Sequence, residues 1–257
     1  MRSSRICISQ LTVSSTPDLT SRFVRHERLV VAAGVALLSF LSWLFLLGGA
    51  GMNDGAAMAP MQPPLGALVI MWWVMMAAMM LPSAAPAILL YGQVRAARSR
   101  DSAIAQSWVF VLGYLAAWLL FSLAAATAQW LLIGPSMAMG TRWAGAAVLI
   151  AAGLYELSPL KSACIRQCRS PAQFISRHWQ PGPAGAVRLG VLHGAYCVGC
   201  CWLLMALLFV GGVMNLLWIA GLTIIVAIEK LAPGARRFGM AAGVALIAWG
   251  LARLAGF

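Results

Sequence analysis

The sequence predicts an all-α polytopic transmembrane helical bundle of about seven spans with a cytoplasmic N-terminus, and three observations carry that reading. Hydrophobic residues make up 62% of the chain and charged residues only 9%, far from the balance of a water-soluble domain. Several apolar stretches exceed the ~20 residues a helix needs to cross the bilayer core. These stretches are continuous rather than alternating, which argues against a barrel, the other architecture that satisfies its backbone in lipid.

Taken in order, residues 1–27 form a basic, Ser/Thr-rich tail, expected to be poorly ordered, in which Cys7 is incidental. Residues 28–257 form the membrane domain. The first span, 29–49, is too long for the apolar core of a cleavable signal and lacks an Ala-x-Ala exit, so it reads as a retained anchor. A loop at 51–64 carries Met52, Met58 and Met61. Span two covers 65–91, with Pro82 and Pro86 expected to kink it and free backbone carbonyls. Span three is 107–133 and span four 143–157, separated by a loop with Met137 and Met139. Residues 158–188 are polar and basic and read as a cytoplasmic segment containing Cys164 and Cys168. Spans five, six and seven follow at 189–210, 216–228 and 238–254. Spans four and six are short, which points to tilting or re-entry.

Charge supplies an independent test of this order. With the N-terminus inside, sixteen of the eighteen Lys and Arg residues fall on the cytoplasmic side, leaving only Arg142 and Arg253 outside. This asymmetry also explains the net charge of +12 without a nucleic-acid partner.

Soft metal ligands then fall into three groups. Cys164 and Cys168 are four residues apart, so on a surface helix both thiols point the same way. Nearby Lys161, Arg166 and Arg169 would favour their thiolates. In span five, His193, Cys197 and Cys201 stack at i, i+4 and i+8, with Cys200 beside the row and Met205 extending it. An intramembrane histidine among three cysteines is expensive to place and points to metal. Span two holds Met71, Met75, Met76, Met79 and Met80, forming two rows at i, i+4. Neutral thioethers prefer copper(I), whereas zinc, the alternative ion, prefers thiolate, imidazole or carboxylate.

Two carboxylates remain at span ends. Glu156 closes span four and Glu229 closes span six beside Lys230, where an interfacial ion pair competes with a proton or metal acceptor role. Ser-His-Asp triads, phosphate-binding glycine loops and paired catalytic carboxylates are not found, which predicts a protein that is not an enzyme.

The Met-Trp-Trp-Val-Met-Met-Ala-Ala-Met-Met-Leu-Pro run starting at Met71, the Cys-Ile-Arg-Gln-Cys-Arg of 164–169 and the His-Gly-Ala-Tyr-Cys-Val-Gly-Cys-Cys-Trp of 193–202 carry a family resemblance. The chain resembles the bacterial predicted metal-binding integral membrane proteins, also described as copper-chaperone-like, from about residue 65 to residue 250. Glu156 departs from the glutamine expected there. The resemblance implies a multi-pass inner-membrane protein supplying copper to a cuproenzyme, with metal held by Cys164, Cys168, His193, Cys197, Cys200 and Cys201. The ligand order adds a direction: thiolates inside, thioethers outside, and delivery to an extracytoplasmic copper enzyme. Two other classes fit the same residues. One is a membrane thiol-disulfide oxidoreductase using Cys197 with Cys200 or Cys201; the other is a non-catalytic assembly factor. The oligomeric state is not encoded in these patterns.

Overall fold

The computed structural model describes residues 18–48, 63–98, 103–133 and 141–256, and it is all-helical with no strand among them. Most of the tail and the loop methionines Met52, Met58, Met61, Met137 and Met139 lie outside the described residues. The helices are α1 (Asp18–Leu47), α2 (Leu65–Arg98), α3 (Ala103–Ala128), α4 (Arg142–Leu157), α5 (Pro159–Arg169), α6 (Pro171–His178), α7 (Gly182–Ala206), α8 (Leu208–Gly211), α9 (Leu216–Leu231) and α10 (Ala235–Ala255). A π-helical turn, Gln129–Ile133, extends α3. Helix α1 starts at Asp18, so its first turns reach back into the segment expected to be tail.

Five of these helical stretches are long and apolar enough to cross a membrane: His26–Leu47, Leu65–Arg98, Ala103–Leu131, Gly182–Gly211 and Ala235–Ala255. A sixth arises if α4 and α5, bent by 65° at Ser158, form one broken span. Length and composition alone thus give five or six candidate spans among the described residues, beside the expectation of about seven. Its two short members account for the difference: α4 and α9 have 16 residues each, or about 24 Å at ~1.5 Å per residue. Large apolar side chains such as Leu37, Phe40, Leu120, Leu217 and Val244 face outward, as an exterior in contact with lipid requires.

Glycine decides how closely the helices approach. Helix α7 packs most extensively on α3, and α10 on α4. A side chain at Gly190 of α7 would run into the Phe110 carbonyl of α3, and one at Gly113 of α3 into the Val187 carbonyl of α7. The two backbones therefore touch, the small-residue packing that lets apolar helices associate without a hydrophobic driving force. Gly153 of α4 and Gly243 of α10 do the same for the second pair.

Breaks between helices are capped locally. Pro159 starts α5 with no amide to satisfy, while the Ser158 hydroxyl accepts from the Lys161 amide at 3.2 Å. Asn215 caps α9 by accepting from the Trp218 amide at 3.2 Å, and the Trp218 indole donates to the Leu207 carbonyl at 2.7 Å where α7 ends. Within the bundle, the Trp72 indole donates to Gln129 Oε1 at 2.6 Å, tying α2 to the π-helical turn. The result encloses the second half of α7 between α2, α3, α5 and α9.

Replacing Gly190 by Ile forces the α3–α7 pair apart. The expected loss is about 1–3 kcal/mol or more, read as a lower melting temperature in detergent; an unchanged melting temperature would remove the close approach as a source of stability.

Candidate metal centre

Cysteine spacing along α7 places three thiols on one side of the helix. Cys200 and Cys201 sit three and four residues beyond Cys197 and donate to its carbonyl at 3.1 and 2.8 Å. Each is only 1% exposed. The Cys197 sulfur lies at the convergence of three other helices. Lys230 of α9 donates to it at 2.9 Å, and the Tyr114 hydroxyl of α3 lies 3.0 Å away. That hydroxyl also reaches the Met80 carbonyl of α2 at 3.3 Å. Lys230 Nζ is 3.2 Å from Ser83 Oγ and 3.7 Å from Met80 Sδ, and the Cys201 thiol is 4.0 Å from the same sulfur.

Helix α5 closes the cluster from the remaining side. The Cys168 side chain is within hydrogen-bonding reach of Cys197 and Cys200. Cys164 sits against Gly199, where an added Cβ would be 3.2 Å from its sulfur. Both α5 thiols thus face α7, as their four-residue spacing predicted. Their basic neighbours do not accompany them: Arg166 and Arg169 line a cavity on another face of α5, and Lys161 binds two carboxylates. The five described cysteines are all free.

The remaining expected ligands spread along the bundle. His193 is 2% exposed one turn before Cys197, with its ring among Phe110, Tyr114 and Phe174 at centroid distances of 6.0, 5.9 and 5.2 Å. Its Nδ1 has no hydrogen-bond partner. Met205 is fully buried one turn beyond Cys201. Met71, Met75, Met76 and Met79 are buried with Met80 in the same core. Met80 is the member whose sulfur meets the cluster. Met71 is nine residues away, about 13 Å along the helix, too far to share one ion with it. Cys168, Cys197, Cys200, Cys201 and Met80 are therefore brought together, while His193, Met205 and the other methionines flank them. Among the described residues, no group of three or more His, Cys, Asp or Glu side chains is spaced to enclose an ion as they stand. The Cys200 and Cys201 thiols are turned back onto their own helix, so gathering around metal requires them to leave the Cys197 carbonyl.

A second polar cluster lies beside the first. Lys161 donates to Glu229 Oε2 at 2.7 Å and also to Glu156 Oε2. Both carboxylates thus take part in an ion pair, as one of the two sequence readings had it, with Lys161 of α5 as the cation, while Lys230 turns to Cys197. Adjacent residues on a helix point about 100° apart and do not face each other. Lys230 and Tyr114 were not recognisable as parts of the thiol cluster. The available signal was a lysine inside the apolar end of a helix, beside Glu229.

A model of the PpoB2 copper chaperone family matches residues 69–253. The chain belongs to that family. The match takes in α2 through most of α10 and hence both polar clusters, leaving out α1. Comparison with curated proteins and with solved structures found no match. Membership in a copper chaperone family agrees with the soft donor set, since thiolate and thioether are the ligands that select copper(I).

Lys161→Met leaves two buried carboxylates facing each other without a cation. Losing one partner of a buried charged pair costs about 3–5 kcal/mol, so the variant is expected to unfold at markedly lower denaturant; wild-type resistance would show that the ammonium does not hold α4, α5 and α9 together.

Proposed function

We propose that this family member is a non-catalytic, multi-pass protein of the bacterial inner membrane that binds copper(I) and passes it to an extracytoplasmic cuproenzyme. The observation that carries the reading is the Cys197 sulfur, buried at 1% exposure and met by Lys230, Tyr114 and the Cys168 side chain. A thiolate is the form of cysteine that binds metal. Lys230 supplies the counter-charge that such a thiolate needs in an apolar surround.

In this reading, copper is cargo. Cys164 and Cys168, the two partly exposed cysteines, lie at the cytoplasmic end and accept it first. Cys168 hands it across the contact with Cys197 and Cys200. The incoming cation then takes over the role of Lys230, which retains Ser83 as a partner. Met80 is the first thioether of the span-two rows. Met79, Met76, Met75 and Met71 continue outward from it at helical spacing, each step within ~6 Å of axial rise. Neutral thioethers place no fixed charge in the path, so the ion is released more readily the farther it travels.

Copper content of protein purified under reducing conditions, with X-ray absorption to count sulfur neighbours, tests the proposal. Wild type is expected to hold copper(I) in a sulfur-rich shell, and the Cys197→Ser/Cys200→Ser/Cys201→Ser variant at least about tenfold less, ~1.4 kcal/mol in binding free energy. Equal, negligible copper in both would overturn the reading. Reversible Cys197 disulfide formation without metal dependence would favour the thiol oxidoreductase instead.

A further inference from the structure

The charges in the Glu156–Lys161–Glu229 cluster do not balance. Glu156 closes α4, Lys161 lies near the start of α5, and Glu229 stands near the end of α9. Their side chains are 1%, 5% and 3% exposed. Both carboxylates reach the same ammonium through Oε2. Sharing one ammonium makes the two carboxylates close neighbours. One ammonium cannot neutralise two carboxylates, and the uncompensated charge sits where burial makes it costly.

The other oxygen of Glu229 identifies what is missing. Oε1 is buried and has no hydrogen-bond partner. The position a Cβ on Gly239 would occupy is 3.3 Å from this oxygen and 3.6 Å from Glu156 Oε2. Helix α10 therefore closes over both carboxylates, and its glycine is what lets it come so near. Oε1 itself is sealed from solvent, while other atoms of both glutamates line a cavity. An acceptor enclosed in this way beside another carboxylate is satisfied by a proton.

We propose that Glu156 and Glu229 bind one proton between them, as a carboxylic acid–carboxylate pair anchored on Lys161. Proton uptake forms one O–H bond on one carboxylate, which donates to the other; no other bond changes. The cluster then sums to zero, with one carboxylate, one ammonium and one neutral acid. Two carboxylates this close cannot both ionise freely, and the proton belongs to the pair rather than to either residue.

The groups around the pair leave Lys161 as the cation that meets it. Helix α5 also brings Arg166 and Arg169, and α10 brings Arg236, to a cavity of about 500 Å³ that both glutamates line. Arg169 donates to the Ala232 carbonyl at 2.8 Å. On α9, Lys230 is turned to Cys197. Tyr155 of α4 donates to the Gly199 carbonyl. The arginine-lined cavity is the route by which the proton exchanges with solvent.

Infrared spectroscopy of the full chain in lipid nanodiscs tests this directly, because the sequence contains only six acidic residues. At neutral pH, wild type is expected to show the carbonyl stretch of a buried carboxylic acid, lost as pH rises and shifted in D2O. Glu156→Gln and Glu229→Gln should each abolish the band at neutral pH, since the remaining carboxylate then has Lys161 to itself. A wild type without the band, or a band unchanged in both variants, overturns the proposal. The wild-type titration decides alone if the variants do not fold. Copper binding by the same sample is read separately, so a missing band and missing copper are distinct failures.

Discussion

The contact between Lys230 and Cys197 is the constraint around which the interior is arranged. An ammonium among residues that are nearly all apolar must be given partners, and four helices meet around the contact. Helix α9 brings the lysine, α7 the sulfur, α3 the Tyr114 hydroxyl, and α2 both Ser83 and the Met80 sulfur. Removing any of these helices would leave a polar group buried without compensation. The glycine-mediated approach of α3 to α7 serves the same end, because it holds Tyr114 and Cys197 in register. Close packing and polar contact are here parts of one arrangement.

Helix α9 separates two kinds of chemistry within its last turn. Lys230 points to the sulfur cluster, and Glu229 points to Lys161 and Glu156. Helix α5 repeats the division, with Cys164 and Cys168 toward α7 and Lys161 toward the carboxylates. The two clusters are thus built from the same pair of helices, yet each cation meets its own acceptors. Crossing the partners would place Lys230 in a carboxylate site and strand the sulfur. The roughly 100° between successive helical residues is enough to prevent it.

Much of this was legible in the sequence where a pattern repeats. Continuous apolar runs predicted the helices, four-residue spacing placed Cys164 with Cys168, and the cysteine spacing set three thiols on one side of α7. Burial of the Met71–Met80 rows also follows from their setting in an apolar span. What could not be read was the aim of single polar residues. Lys230 and Glu229 are adjacent in the chain, yet they point to different clusters, because successive helical residues do not face each other. Arg166 and Arg169 flank Cys168 in sequence but lie on another face, and Tyr114 carries no local signal because its partners are 34 and 83 residues away. The span count was not legible for a related reason. Helices α4 and α9 are apolar but too short to be judged without their neighbours.

That shortness has a consequence for the surrounding lipid. At about 24 Å, α4 and α9 fall short of the ~30 Å hydrocarbon thickness of an ordinary bilayer. Their outward faces, including Leu154, Leu217 and Ile224, are exposed, so if these helices stood across a bilayer, lipid beside them would thin or the helices would be pulled out of line. Both polar clusters take residues from this short pair. In a bilayer, hydrophobic mismatch would then be concentrated where charge and sulfur are already inside the bundle, and acyl-chain length would become a mechanical input to that region. Thin bilayers would relax α9 and shorten the apolar barrier beside Cys197; thick ones would draw on the helix that holds Lys230 in place.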